Sequence, residues 1–213
     1  ISFRPIMLDY EVSIFNKGYK LIAGCDEAGR GPLCGPVVCA CCILPPNYQN
    51  ELINDSKKLT AKKRDLLFEE IKKVALFYSI IAIEPEEIDQ INIYEASRKG
   101  MMEAIKHCGA KPDYILTDCM PLFGFDGIPQ ENLVKGDAKA LCIAAASILA
   151  KVTRDRIMDE LEEKYPQYNL KKHKGYPTKE HLDLLKKYGP IKGLYRYSYK
   201  PVQACSYEQL KIF

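Results

Sequence analysis

No apolar run of 18 residues occurs in this chain, so no segment reads as a membrane-spanning helix, and no charged–apolar–small pattern marks a secretory leader. No CxxC pair recurs at zinc spacing, although cysteines stand at 25, 34, 39, 41, 42, 108, 119, 142 and 205. That argues against a structural zinc site. Five of them, Cys25, Cys34, Cys39, Cys41 and Cys42, lie in or beside apolar strand-like runs, which reads as reduced, buried thiols in a cytoplasmic protein. No repeat, low-complexity tract or long linker divides the 213 residues, so a single domain is expected over 1–213. No large excess of one charge is present either: a net charge of +3 is weak evidence for a nucleic-acid partner. Lysines and arginines do cluster, at Lys57, Lys58, Lys62, Lys63 and Arg64, at Lys171, Lys172 and Lys174, and at Lys186 and Lys187, but such runs usually mark a solvated face. Serine–histidine–aspartate triads, cysteine nucleophiles and P-loops find no support. The chain starts at Ile1 rather than at a methionine, which fits a native start further upstream.

What is present is concentrated in Gly24-Cys25-Asp26-Glu27-Ala28-Gly29-Arg30-Gly31-Pro32. Two adjacent carboxylates close an apolar run and precede a glycine-flanked arginine. Carboxylates at the mouth of a buried strand are costly unless they are paired or bind a cation. Patterning predicts strands near 20–25, 35–44, 76–83, 114–118 and 132–135. It predicts helices near 61–74, 93–107, 138–163 and 178–188, with Thr60 as an N-cap and a lead-in helical around Asp9 to Phe15. Neighbouring strands first, then strands alternating with helices, imply a mixed sheet covered by helices.

Three apolar runs stop at acids: at Asp26 and Glu27, at Asp118, and at Asp137. Ligands of an open α/β sheet sit outside the carboxyl ends of its strands. If these runs are neighbours, four carboxylates converge, and divalent cations would relieve their repulsion. Two Mg²⁺ or Mn²⁺ ions about 4 Å apart could activate a water and stabilise a leaving oxygen. Adjacent strand residues point to opposite faces, so Asp26 and Glu27 serve one site only if the strand breaks or bulges there, or if one binds through its backbone. Asp118 and Asp137 also have an ordinary reading, as N-caps or turn formers after a strand.

The residues then resemble a family. Asp26-Glu27-Ala28-Gly29-Arg30-Gly31-Pro32-Leu33 with Gly35-Pro36-Val37-Val38 resembles the opening motif of the bacterial type 2 ribonucleases H. Asn54 to Leu59, Lys135-Gly136-Asp137, Ala144 to Asp155 and His173-Lys174-Gly175-Tyr176-Pro177-Thr178 agree in the same order, across roughly residues 8–202. The resemblance implies an α/β RNase H-like fold, with a mixed five-stranded sheet flanked by helices. It places the core at about 20–165 and a helical, substrate-contacting C-terminal region at about 166–213. It implies an endonuclease, expected as a monomer, that leaves 5′-phosphomonoester ends. Such an enzyme cuts the RNA strand of RNA–DNA hybrids and nicks 5′ to single ribonucleotides in duplex DNA, a role in ribonucleotide removal. Its metal-binding acids, with Mg²⁺ or Mn²⁺, fall on Asp26, Glu27, Asp118 and Asp137.

The resemblance also gives Gly29, Arg30 and Gly31 the reading of the ribose 2′-OH and adjacent phosphate, and Tyr176 the packing on the following deoxyribose. Ser56, Lys57 and Lys58 resemble its phosphate-contacting segment. Ser147 and Lys151 share one helix face. Lys151 has two equal readings, approaching phosphate or satisfying the acids. Arg154-Asp155 reads as a surface ion pair, His173 as structural or solvent-facing, and His107 and His181 carry no signal. Two departures stand out. Cys119 follows Asp118 where the family usually has glycine, and Tyr195-Arg196-Tyr197-Ser198-Tyr199 replaces a His-Arg-x-Ser-Phe-like stretch. No long N-terminal substrate-binding domain of the related type 3 enzymes is recognised, which favours type 2. The competing readings are a non-catalytic nucleic-acid-binding protein on this fold, or a junction nuclease indifferent to the 2′-OH.

Overall fold

The computed structural model describes residues 8–54 and 59–210. Its strands are β1 (Ile22–Ala28), β2 (Val37–Ile43), β3 (Phe77–Ile83), β4 (Tyr114–Asp118) and β5 (Gln130–Leu133), forming one sheet in the order β3-β2-β1-β4-β5. β2 runs antiparallel to β1 and β3, while β4 runs parallel to β1 and β5. The mixed five-stranded sheet is the expected one. The helices are α1 (Leu8–Phe15), α2 (Glu51–Asn54), α3 (Ala61–Val74), α4 (Pro85–Ile91), α5 (Ile93–Lys106), α6 (Leu141–Lys164), α7 (Leu170–His173), α8 (Lys179–Tyr188) and α9 (Lys200–Leu210).

Helices cover both faces, which is why the sequence of β2, VVCACCI, contains no polar residue and is buried throughout. Val38, Ala40 and Cys42 join the core beneath α6, with Ile143, Ala144 and Leu149. Cys39 and Cys41 join the core beneath α5, with Met101, Ala104 and Ile105. Seven of the nine cysteines are buried and none forms a disulfide, in keeping with the apolar reading. Burial pushes the Cys34 thiol up to about 12, so it stays neutral.

One glycine brings α6 onto the sheet. A Cβ at Gly24 would stand 2.3 Å from the carbonyl carbon of Cys142, closer than any side chain tolerates. With Ala144, Ala145 and Ala146 next along α6, the helix rides directly on β1 and carries Ser147 towards Asp26. The N-terminus of α6 is capped from a distance: Glu11 of α1 accepts from the amides of Leu141 (3.2 Å) and Cys142 (2.7 Å). No local signal announces a cap that lies 130 residues away.

Several boundaries differ from the patterning. β1 runs on to Ala28 and contains both acids, with regular pairing of Asp26 to Ala40, Glu27 to Cys39 and Ala28 to Val38. The expected break or bulge is absent. Asp137 lies in a 3-10 turn, Gly136–Ala138, rather than at a strand end, because β5 stops at Leu133. α4 was not read, although Pro85 at its start with Glu86 and Glu87 is a start signal; seven residues are too few to show an apolar period. The C-terminal region is helical as expected. It closes on Leu33, Cys34 and Met158 through Tyr168, Leu170, Leu185 and Tyr195, and a β-bridge joins Cys34 to Tyr195.

Candidate active site

Regular strand geometry sends Asp26 to the α6 face and Glu27 to the α5 face, at the end of β1. Asp26 is 6% exposed and its Oδ1 accepts from the Glu27 amide at 2.8 Å. Burial above all, then the charges of Glu27 and Asp118, hold its carboxyl well above the usual range. The Glu27 amide and Ser147 pull it back only in part. Glu27 is raised by burial, lowered by Arg30 and raised again by Asp118. Its Oε1 meets Arg30 Nη1 at 3.4 Å, and its Oε2 is buried without a hydrogen-bond partner.

Asp118 Oδ1 accepts from the Gly136 amide at 2.8 Å, which sets the 3-10 turn, and with it Asp137, against the end of β4. The fold therefore gathers Asp26, Glu27 and Asp118 into one electrostatic group, with Asp137 on the adjoining turn. Among the described residues, no three His, Cys, Asp or Glu side chains stand in an arrangement that could hold a metal ion. Cys119 takes φ +57°, the left-handed conformation that suits glycine, and the strain stays in the backbone beyond the carboxylate.

Beside the acids lies an open cleft of about 390 Å³, lined by Glu27, Gly29, Arg30, Gly31, Ser147, Lys151 and Tyr176, and by Arg64 from α3. Six of the expected substrate residues thus share one cleft with an acid. Arg64 had been read only as part of a charge cluster. Ser56, Lys57 and Lys58 lie outside the described residues. Lys151 lines the cleft but pairs with Asp155 at 2.7 Å, not with the acid cluster. The expected Arg154–Asp155 surface pair is absent, since Arg154 is 1% exposed and points the other way.

Two buried arginines hold the 29–36 loop. Arg154 donates to the carbonyls of Pro36 (3.0 Å), Cys34 (3.1 Å) and Lys174 (2.9 Å). Arg196 donates to those of Gly35 (3.0 Å), Arg30 (3.1 Å) and Gly29 (2.7 Å). Tyr199 adds its hydroxyl to the Arg30 carbonyl at 2.5 Å. Burial and mutual repulsion lower the Arg154 guanidinium to about 10, which still leaves it charged at neutral pH. Gly29 is required here: its φ is +95°, and a Cβ would stand 2.0 Å from Arg154 Nε. In the sequence Arg196 is only one residue of the altered Tyr195–Tyr199 stretch; three of its hydrogen bonds are to backbone, which no pattern displays.

Tyr176 is 40% exposed and faces Gly31, where a Cβ would lie 3.4 Å from its ring. Beneath it, His173 and His181 stack at 4.1 Å. His181 Nδ1 meets the Tyr176 carbonyl (2.9 Å) and Nε2 the Tyr195 hydroxyl (2.9 Å), so a histidine without sequence signal is structural. His173 is structural too, buried against the Tyr168 carbonyl at 2.7 Å.

Burial lowers His181 to about 4 from an ordinary 6.5. A lowered histidine stabilises the fold above pH 6.5, and that stability is lost as pH falls towards 4, by about 3 kcal/mol at most. The raised acids act in the opposite direction, so the contribution is isolated by comparison. Calorimetry from pH 7 to pH 4.5 should show a shallower loss of thermal midpoint in His181→Gln than in the wild type.

Comparison with known proteins places this geometry. A family model described as Ribonuclease HII matches residues 23–202. The chain is 50% identical over 197 residues to a ribonuclease HII of Listeria monocytogenes, covering 92% of this chain and 74% of that one. It is 48% identical over 199 residues to one of Halalkalibacterium halodurans, with the same coverage. The solved structure of the ribonuclease H2 of Pyrococcus horikoshii superposes with a TM-score of 0.76 at 28% identity, covering 90% of this chain and 99% of that one.

Proposed function

The chain belongs to the ribonuclease HII family and is a ribonuclease H, and from that premise we propose that it cuts the RNA strand of RNA–DNA hybrids and nicks 5′ to single ribonucleotides in duplex DNA. The observation that carries this reading is the shared cleft: the Gly29-Arg30-Gly31 loop and Tyr176 open onto the same space as Glu27. A nuclease without sugar selectivity needs only the acids.

The residues fit a hard divalent cation. Glu27 Oε2 is buried and unpartnered, and burial first, then the charge of neighbouring carboxylates, raises both Asp26 and Glu27, which is the condition a bound cation relieves. Asp26, Glu27, Asp118 and Asp137 would hold Mg²⁺ or Mn²⁺, as a pair of ions in our reading. When bound, the metal supplies Lewis-acid polarisation of the phosphodiester and a water of lowered pKa.

The chain's own residues do the selecting. The carbonyls of Gly29 and Arg30 are turned inward onto Arg196, leaving the amide edge of the loop for the substrate. Without a side chain at Gly31, a sugar can enter between the loop and the Tyr176 ring. A 2′-OH within reach of those amides gains hydrogen bonds that a deoxyribose cannot make. Arg30, half-exposed beside Glu27, meets the phosphate adjacent to the 2′-OH and so fixes that sugar against the amides. We place this activity in ribonucleotide removal from DNA, and nine cysteines outside any disulfide fit a reducing cytoplasm. Among the described residues no helix is long and apolar enough to cross a membrane.

The test is a duplex carrying one ribonucleotide, incubated with Mg²⁺ or Mn²⁺. A single nick 5′ to that ribonucleotide is expected, lost in Asp118→Asn. No nick, or equal cutting of all-DNA duplex, overturns the reading. Arg30→Ala should lower ribo-over-deoxyribo discrimination by about 10- to 100-fold, the worth of one charge-assisted hydrogen bond, and duplex affinity much less. Competition binding set beside cleavage rates measures both, and equal losses would refute the division of labour.

A further inference from the structure

Cations and rings alternate along the α5 side of the sheet, beginning at the cleft. The Arg30 guanidinium lies 5.9 Å from the Tyr94 ring centroid. Arg98 lies 4.8 Å from that ring and 4.5 Å from the ring of Phe123. Tyr94 and Arg98 are one helical turn apart on α5, and Phe123 comes from the connection that follows Asp118. The row therefore starts at the loop beside Glu27 and ends on the segment leaving another acid.

Two features separate this row from ordinary surface decoration. Tyr94 is 38% exposed and Phe123 59%, so both rings meet the solvent beside the half-exposed Arg30. Arg98 is not a free cation: it reaches both Glu95 oxygens at 3.0 Å, and its Nε is buried without an acceptor. Its plane is used as a splint between two rings. Rings held in this way lose little freedom when something packs on them.

We infer that Arg30, Tyr94, Arg98 and Phe123 form a docking surface for the sugar–phosphate backbone of the substrate duplex flanking the cut, on the α5 side. The inference rests on the reading of the cleft as the cutting site, because Arg30 belongs to both and makes the surface continuous with it. Ring faces pack on sugar C–H surfaces, and the exposed edge of Arg30 meets phosphate. Two rings rimmed by charge are far smaller than the patch a stable protein partner requires.

The experiment uses the full chain with Asp118→Asn, which stops cutting. Fluorescence anisotropy reads its affinity for duplexes bearing one ribonucleotide, trimmed stepwise from one end or the other. Trimming one end, and not the other, should weaken binding about 10-fold. Adding Tyr94→Ser and Phe123→Ser should weaken binding to the untrimmed duplex by about the same factor and abolish the response to trimming that end. Phe123→Ser alone, a loop change, should give a smaller shift in the same direction even if the double change perturbs α5. Unchanged affinity, or an intact trimming response in the ring variants, overturns the inference. Ring-dependent binding in a protein whose wild type fails to nick would overturn the proposed reaction and leave this surface standing.

Discussion

Asp26→Asn should abolish cleavage and make the metal-free protein more stable. The carboxyl is buried on β1 with Glu27 and Asp118 as charged neighbours, and its raised pKa records how poorly the fold tolerates that charge. An asparagine keeps an oxygen for the Glu27 amide and carries no charge, so the repulsion goes. We expect a gain of about 1–2 kcal/mol, or about 3–6 °C in thermal midpoint for a chain of this size. The pH dependence follows with its sign. A carboxyl raised in the folded state binds its proton more tightly there than in the unfolded chain. The wild type therefore loses stability as pH rises from the ordinary carboxylate range through that raised value, and the variant loses less. Divalent cation should reverse the ranking, stabilising the wild type and leaving the variant nearly unchanged. Activity should fall by about 10³-fold, the scale of losing one preorganised electrostatic group. Calorimetry with and without Mg²⁺, beside a nicking assay, reads all three. A variant no more stable than the wild type without metal would show that the cluster is not under charge strain.

Arg196→Ala should be the most damaging single change outside the acids. The side chain is fully buried and reaches three carbonyls of the 29–35 loop and the Tyr199 hydroxyl. Its removal leaves buried acceptors without donors and a cavity beneath the loop. A loss of about 3–5 kcal/mol is expected, reduced a little by relief of its repulsion with Arg154. That corresponds to roughly 10 °C in thermal midpoint. Tyr199→Phe removes one hydroxyl from the Arg30 carbonyl and should cost about 1 kcal/mol. Both changes free the loop we propose to read the sugar, so discrimination against all-DNA duplex should weaken in step with stability. Thermal unfolding and the ratio of nicking rates at ribo and deoxyribo sites test the pair; an Arg196→Ala protein of wild-type stability would contradict the framing role.

The amino-acid sequence by itself determined the strands, the longer helices and the family. Apolar runs long enough to be buried on both faces announced the strands, and the acids at Asp26, Glu27, Asp118 and Asp137 stood out because charge beside such runs is costly without a cation. Ordered motifs then carried the family. Tertiary structure alone decided how neighbouring acids work together. β1 does not break; Asp26 and Glu27 point to opposite faces at the strand's end, and Asp118 on the parallel neighbour acts on both. It also decided what Arg154, Arg196, Glu11 and His181 do. Arg154, Arg196 and Glu11 bind backbone groups far away in the chain, and His181 ties the nearby Tyr176 carbonyl to the Tyr195 hydroxyl; a backbone carbonyl or amide leaves no mark in the order of side chains.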